Sequence, residues 1–541
     1  MVRNLWKRAK LTYPEYTRKK RKASGWWTFF TISIALLVGI PVFTVIANIF
    51  IPTGDIWQHL ASTVLKDYVM NSFWLLIGVG LGVFILGVGS AWLVTMCRFP
   101  GSRYFEWMLI LPMAVPAYLM AYSYTDFLAY TGPFQQFLRD LTGWGLGDYW
   151  FPEVRSLGGA ITMMTFVFFP YVYMLTRAAF LEQSSSVLEA SRSLGATPFQ
   201  SFYKVALPLA RPSIAAGMAL ALMETLNDFG TVDYFGVQTF TTGIYRTWFG
   251  LGERAAAAQL SAFLLIFILF LILLERWSRN KIHVHQSSTG RYRNLYIYDL
   301  KGWKAWSSTL FCLLPVLVGF MIPAAILTEM MITNFDQAVN ARFFQYSLNT
   351  IYVALLAGFS ALAVAIIMAY GVRLNPGLTT RISTRISSMG YAIPGSVIAV
   401  GILIPFGWLD NSIDSWLRST FGISSGLLLS GTIFALIFAY VVRFLAVAFN
   451  TVEASLGKIT PSMDEAAEGM GYSFFKTLRK VHIPMMSGSL FTAFMLVIVD
   501  VIKELPATII VRPFNFDTLA VQVYRLASDE RLAESSGAAL A

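Results

Sequence analysis

Ten stretches of this chain, residues 23–54, 68–97, 107–125, 156–176, 255–274, 305–328, 343–372, 386–409, 419–442 and 481–499, contain no Asp, Glu, Lys or Arg. Crossing ~30 Å of hydrocarbon as a helix takes about 20 mostly apolar residues, so each stretch is long enough to span a bilayer. An eleventh span is expected from about Ala210 to Gly230, interrupted by Glu224 and Asp228, because a later segment carries the same interruption. Only 13% of the 541 residues are charged, against roughly 25% in a soluble domain. That composition excludes a soluble enzyme, a disordered chain and a nucleic-acid binder. The net charge of +11 has to be read from where the cations sit, since a basic surplus points to nucleic acid only on a soluble face.

Their placement is one-sided. Met1–Lys22 holds nine Lys or Arg against the single acid Glu15, ahead of a first span too long for a cleaved signal peptide, so the N-terminus is expected in the cytoplasm. Alternating sides from there, the predicted cytoplasmic segments collect most of the lysine and arginine, as the positive-inside bias requires. Seven cations between Arg276 and Lys304 mark a linker between halves. The expected organisation is a basic cytoplasmic N-terminus (1–25), a first membrane domain (26–280), a basic cytoplasmic linker (281–305) and a second membrane domain (306–541). Cys97 and Cys312, scattered in apolar sequence, read as packing residues, and His283 and His285 as a solvated pair in the linker. Pro41, Pro112, Pro116, Pro170, Pro394 and Pro405 are expected to kink helices. Trp26, Trp27, Trp107 and Trp408 fit interfacial belts.

The two halves repeat. Glu189-Ala190-Ser191-Arg192-Ser193-Leu194-Gly195 recurs as Glu465-Ala466-Ala467-Glu468-Gly469-Met470-Gly471, and Val205-Ala206-Leu207-Pro208 as Val481-His482-Ile483-Pro484, at one offset of 276. Tyr68-Val69-Met70-Asn71 matches Tyr346-Ser347-Leu348-Asn349, Pro100-Gly101 matches Pro376-Gly377, and Pro116 matches Pro394. Six spans precede the linker, so the second copy enters the membrane from the same side as the first, giving a parallel repeat about an axis along the membrane normal.

Each copy thus carries Glu-Ala-x4-Gly-x9-[hydrophobic]-x-[Leu/Ile]-Pro in a loop between two spans. Ser186-x-x-Glu189 and Ser462-x-x-Glu465 have capping-box spacing, and Gly195 and Gly471 suit the left-handed position that stops a short helix. A second amphipathic stretch, Pro198–Val205 or Ser473–Val481, should follow. The pattern resembles the cytoplasmic signature of permease subunits of binding-protein-dependent ABC importers, and the resemblance covers essentially the whole chain. Ser191 departs from the signature's third residue by a small-for-small exchange. Two halves in one polypeptide look like the ferric iron permease subfamily, with thiamine permeases the nearest similar group. Leu111-Pro112-Met113-Ala114-Val115-Pro116-Ala117-Tyr118, the segment Glu224 to Val232 and Lys503-Glu504-Leu505-Pro506-Ala507-Thr508 carry that likeness.

The resemblance implies an all-α integral membrane protein of two tandem, parallel-repeat type I ABC importer permease domains. It implies that each loop seats a coupling helix in a groove on an ATPase subunit, through Glu189, Ala190, Gly195 and Pro208 and through Glu465, Ala466, Ala467, Gly471 and Pro484. The chain has no Gly-x4-Gly-Lys-Ser/Thr phosphate loop. It is therefore expected to be no enzyme and to bind no cofactor, with ATP and Mg held by a separate ABC ATP-binding subunit dimer. A periplasmic substrate-binding protein and membrane lipid are the other implied partners, in a bacterial inner membrane, with no nucleic acid.

Ionisable groups within spans cost roughly 2.5–3.5 kcal/mol at the helix centre and are functional candidates for that reason. Glu224 and Asp228 lie four apart, on one face of a helix. The 276 offset carries them onto Asp500 and Glu504, so four carboxylates are expected to line a translocation pathway near the axis. Should the cargo be Fe3+, hard oxygen ligands are its chemistry, and Tyr118 or Tyr234 could join the carboxylates, although the sequence specifies no metal ligands. The plainer alternative has Lys503 paired with one acid while others cap helix ends. Two further classes fit the residues less well: a secondary transporter leaves the duplicated loops unexplained, and a scaffold leaves the intramembrane acids unexplained. By repeat symmetry a twelfth span is expected after Glu530-Arg531, where only about ten residues remain.

Overall fold

The structure is a computed structural model that describes residues 25–145, 148–182, 191, 193–195, 197–280 and 298–541. The basic N-terminal segment, Ser186, Glu189, Ala190 and the His283/His285 pair lie outside the described residues. In hydrocarbon every backbone N–H and C=O must be satisfied within the segment, which leaves helices as the form for long charge-free runs. Among the described residues nine helices are long and apolar enough to cross a membrane: Trp26–Asn48, Leu65–Met96, Leu157–Leu181, Phe199–Asn227, Arg254–Glu275, Trp303–Thr333, Ala341–Leu374, Gly395–Phe421 and Ile433–Leu456. Two more spans are bent pairs, Ser102–Ala114 with Ala117–Thr142 at 89° and Phe474–Met485 with Ser487–Ile502 at 79°. With each bent pair taken as one span, eleven result among the described residues, matching the ten charge-free runs plus the interrupted span that carries Glu224. The segment 532–540, where a twelfth span is expected to begin, is a short helix, Leu532–Leu540.

The residues divide into two packed units. The larger comprises 40–358, 391–444 and 495–541. Its centre is a close seam between the helices Leu65–Met96 and Leu157–Leu181, where Gly78, Gly82 and Gly87 face Ile161, Thr165 and Val172. A Cβ on Gly87 would stand 2.7 Å from Val172 Cβ and 3.0 Å from the Tyr173 amide nitrogen. Small residues are what let membrane helices approach this closely. Cys97 and Cys312 are both buried and free, and Cys97–Arg98 pairs in parallel with Tyr298–Asp299, closing the start of the second half against the first.

The smaller unit comprises residues up to 39, 359–390 and 445–494. Trp27 packs edge-on to Tyr370, Phe359 packs on Phe494, and the Tyr370 hydroxyl donates to the Phe474 carbonyl at 2.8 Å.

Prolines act in two ways. Pro41, Pro170 and Pro405 lie inside helices, whereas Pro116 and Pro394 stand just before Ala117–Leu128 and Gly395–Phe421 and start those helices rather than kinking them. Pro208 and Pro484 follow π-helical turns at Phe202–Ala206 and Leu478–His482, placed 276 apart like the rest of the repeat. A proline offers no N–H to the carbonyl four residues back and its ring crowds it, so the preceding turn widens.

Candidate functional site

The acids come first. Glu224 lies on Phe199–Asn227, but that helix stops at Asn227 and Asp228 leaves it with an extended backbone. The expected shared face is therefore corrected: Asp228 turns to the short helix Gly230–Tyr234 that follows. Its Oδ1 accepts the amides of Thr231 and Val232 at 3.0 and 3.3 Å, and its Oδ2 accepts the Thr231 hydroxyl at 3.0 Å. The second half repeats the device. Ser487–Ile502 ends before Glu504, whose Oε1 accepts the Ala507 amide and whose Oε2 accepts the Thr508 amide, both at 3.0 Å, while the Thr508 hydroxyl donates to Oε2 at 2.7 Å. Each carboxylate thus takes orphan donors at the start of a new helix, the group such helix ends favour. This matches the plainer expectation for two of the four acids, and Lys503 supplies the rest of it, pairing with Asp500 at 3.0 Å.

All four acids nevertheless line one cavity of about 90 Å3, together with Lys503, Arg443, Asn227, Tyr118, Tyr171 and Tyr391. Tyr234 is not part of the lining; its hydroxyl accepts from Arg155 at 3.0 Å and its ring lies edge-on to Tyr122. The cavity draws on both halves, and a network joins them. The Asn227 side-chain oxygen accepts the Gly395 amide and an Arg443 guanidinium N–H, both at 2.8 Å, and Arg443 stands 3.5 Å from Glu504. Gly395 is required here, because a Cβ would fall 2.6 Å from Glu504 Oε1 and 2.7 Å from an Arg443 nitrogen. Arg443 is the residue that sequence reasoning missed. The run 419–442 ends at it, so it reads as the edge of a span, yet it sits 5% exposed in the interior of Ile433–Leu456. No three His, Cys, Asp or Glu among the described residues are grouped to hold a metal ion.

The loops form a second candidate. Pro461–Gly469 is a short helix that starts from Thr460 without a side-chain cap, so the expected Ser462/Glu465 capping box is not formed. Pro461 occupies the first helical position, where its missing N–H costs nothing, and this shifts Ser462 inside the helix. The far end is as expected: Gly471 has φ +75°, and the amides of Gly471 and Tyr472 donate to the carbonyls of Glu468 and Ala467 at 2.8 and 3.0 Å, a Schellman closure. Gly195 has φ +87° in the first copy.

Glu465, Ala466, Gly471 and Pro484 are exposed, whereas Ala467 is buried within the chain and offers no outer surface. Gly195 and Pro208 are exposed in the first copy, where Ser191 Oγ lies 3.0 Å from Ser201 Oγ. Beside each corner stands an exposed apolar pair at the common offset, Leu194 and Phe199 in one copy, Met470 and Phe475 in the other. The 276 repeat itself could have found these.

The second loop is anchored from behind. Arg373 donates to Asp464 Oδ2 from Nε and from a terminal nitrogen at 3.0 and 2.9 Å, and to the carbonyls of Leu456 and Ile459 at 2.7 and 3.0 Å. His482, 1% exposed, meets Asp464 Oδ1 at 2.7 Å. Burial raises the Asp464 pKa, but the His482 hydrogen bond and the Arg373 charge outweigh it and hold the carboxyl below its usual range.

The family described as binding-protein-dependent transport system inner membrane component matches residues 83–284 and again 361–514. An Fe(3+)-transport system permease protein of Haemophilus influenzae is 25% identical over 96% of this chain and 96% of its own length. A ferric transport system permease protein of Actinobacillus pleuropneumoniae is 24% identical over 79% of this chain and 61% of its own. A molybdenum transport system permease protein of Escherichia coli is 25% identical over 94% of its length but only 42% of this chain, as one half of a duplicated protein should be.

Proposed function

Because the chain belongs to the family of binding-protein-dependent transport system inner membrane components, we propose that it is the membrane-spanning subunit of an ATP-driven importer that carries ferric iron across a bacterial inner membrane. The observation that carries this reading is the cavity, where both halves bring their acid pairs to one lining. Four carboxylates against Arg443 and Lys503 leave a surplus of negative charge, suited to a cation whose hard ligands are oxygens. Asp228, Asp500 and Glu504 are engaged by the protein and the four acids form no ready metal cage, as a path requires, since a permeant ion must enter favourably and still leave. The ferric names of these two relatives agree.

In this reading the ATP-binding subunits, which hold ATP and Mg, dock on the two glycine-corner loops. Leu194 with Phe199, and Met470 with Phe475, would enter grooves on those subunits, with Glu465 and Ala466 beside them. ATP binding moves the loops, the halves rock to open the cavity toward a periplasmic binding protein, and hydrolysis returns it to the cytoplasmic side. Catalysis of ATP hydrolysis belongs to the partner.

The test is reconstitution with the ATP-binding subunits and binding protein, comparing ATP-dependent uptake of Fe3+ with that of thiamine. Wild type should accumulate iron, and Glu224→Ala with Asp500→Ala should abolish accumulation while the complex still assembles. Unchanged iron uptake in that double variant would remove the cavity from the path, and uptake of thiamine alone would remove iron as cargo.

A further inference from the structure

The acids of the cavity are duplicated, but their counter-charges are not. At the 276 offset Lys503 corresponds to Asn227 and Arg443 to Val167, so both cations of the lining come from the second half. The consequence falls unequally on equivalent acids. Asp500 is paired with Lys503 at 3.0 Å. Its counterpart Glu224 has no ion pair among the described residues and meets only the Asn227 amide nitrogen, at 3.5 Å. Asp228 and Glu504 are committed to backbone donors in both halves.

We propose that the two halves are unequal in cargo contact: Glu224 of the first half is the carboxylate that takes the cation, and Lys503 is a specificity-determining residue that withholds Asp500 from it. The occupant this arrangement fits is a polyvalent cation that keeps oxygen ligands of its own. Glu224 supplies a hard oxygen to the metal, and the water, hydroxide or chelator oxygens it carries complete the coordination. One strong carboxylate contact in place of two symmetric ones keeps the ion mobile. The proposal rests on reading the cavity as the cargo path.

Variants of the full chain, assembled with its partners, separate the roles. Uptake of Fe3+ is measured alongside binding of Tb3+, an oxygen-seeking trivalent ion whose luminescence is sensitised by nearby tyrosines such as Tyr118, Tyr171 and Tyr391. Glu224→Gln should lower uptake and Tb3+ affinity at least tenfold, and Asp500→Asn less than threefold. Adding Lys503→Asn to Glu224→Gln should restore at least a third of wild-type uptake, because Asp500 is then released to serve in place of Glu224. A merely structural role for Glu224 gives no such rescue. Equal losses in Glu224→Gln and Asp500→Asn would overturn the inequality while leaving the path intact, and failure of the rescue would overturn it too. Indifference of uptake to both acids would overturn this inference and the path together.

Discussion

Replacing Asp464 by alanine should loosen the second glycine-corner loop by roughly 2–4 kcal/mol. A hydrogen bond to a charged partner contributes about 1.5–3 kcal/mol, and Asp464 makes them to Arg373 and His482. The Arg373 contribution is discounted toward about 1 kcal/mol for solvent screening, because the two side chains are 16% and 29% exposed, and Arg373 keeps its bonds to the Leu456 and Ile459 carbonyls. The His482 contribution is larger. At 1% exposure, with its Nδ1 already unmatched, the ring loses its remaining hydrogen bond, and a buried group left unsatisfied costs about 1–3 kcal/mol. At about 1.4 kcal/mol per decade, even the lower bound speeds local opening ~30-fold. Hydrogen exchange of the peptide 461–472, which holds the Gly471 and Tyr472 amides of the Schellman closure, reads this directly in nanodiscs. Asp464→Asn, which keeps an acceptor, should fall between wild type and alanine. A change below threefold in Asp464→Ala would refute the anchoring argument.

The same anchor has a pH signature. A carboxyl whose folded pKa is depressed contributes stability that is fully present above its unfolded value of about 3.9 and lost as pH falls through the folded one. Asp464 is depressed, so its contribution to loop protection should hold from pH 8 to 5 and fade only below about 4. Fading of that contribution already near pH 6 would mean that burial, not His482 and Arg373, governs the group.

Two further outcomes follow from packing and exposure. Gly87→Leu should lower thermal stability by roughly 1–3 kcal/mol through overpacking, since both Val172 and the Tyr173 backbone stand within 3.0 Å of the new Cβ; Gly488→Leu, with nothing within 4 Å, is the control, and equal melting of the two variants contradicts the seam. Glu465→Lys reverses an exposed charge beside Gly471 and should reduce co-purification of the ATP-binding subunit and ATP-dependent uptake, with hydrogen exchange of 461–472 unchanged; full uptake would exclude docking there.

The number of spans and the duplication are legible in the sequence because a missing charge and a repeated offset need no knowledge of where a helix ends. The site was legible only in its residues. The i, i+4 rule puts Glu224 and Asp228 on one face while the helix continues, and it does not continue: Asp228 and Glu504 offer acceptors to the next helix and break the span there. Arg443 was hidden by the opposite error. Residues 428–430 look like the apolar start of a span, but Asp410 collects the amides of Leu428, Leu429 and Ser430 at 2.7–3.1 Å. The span therefore starts at Ile433, about two-thirds of a bilayer crossing later than the charge-free run suggests, and Arg443 is carried inward. Ser462 failed as a cap for a similar local reason, since Pro461 claims the first helical position.

Fusion of the halves gives the charge inequality a physical basis. A cavity between two copies of the second half would hold four carboxylates and four cations, with Arg443 and Lys503 each present twice, and would carry no net attraction for a cation. A cavity between two copies of the first half would hold four carboxylates opposed by Asn and Val, at a cost on the order of 10–14 kcal/mol if each charge costs what it does at a helix centre. One chain bearing both halves presents four acids and two cations, about half that uncompensated charge, while Glu224 keeps its field. Identical subunits can only choose between the two extremes. Covalent linkage guarantees that every first half meets a second half, so Asn227 and Lys503 can diverge at equivalent positions without ever producing a neutral or a fully uncompensated cavity.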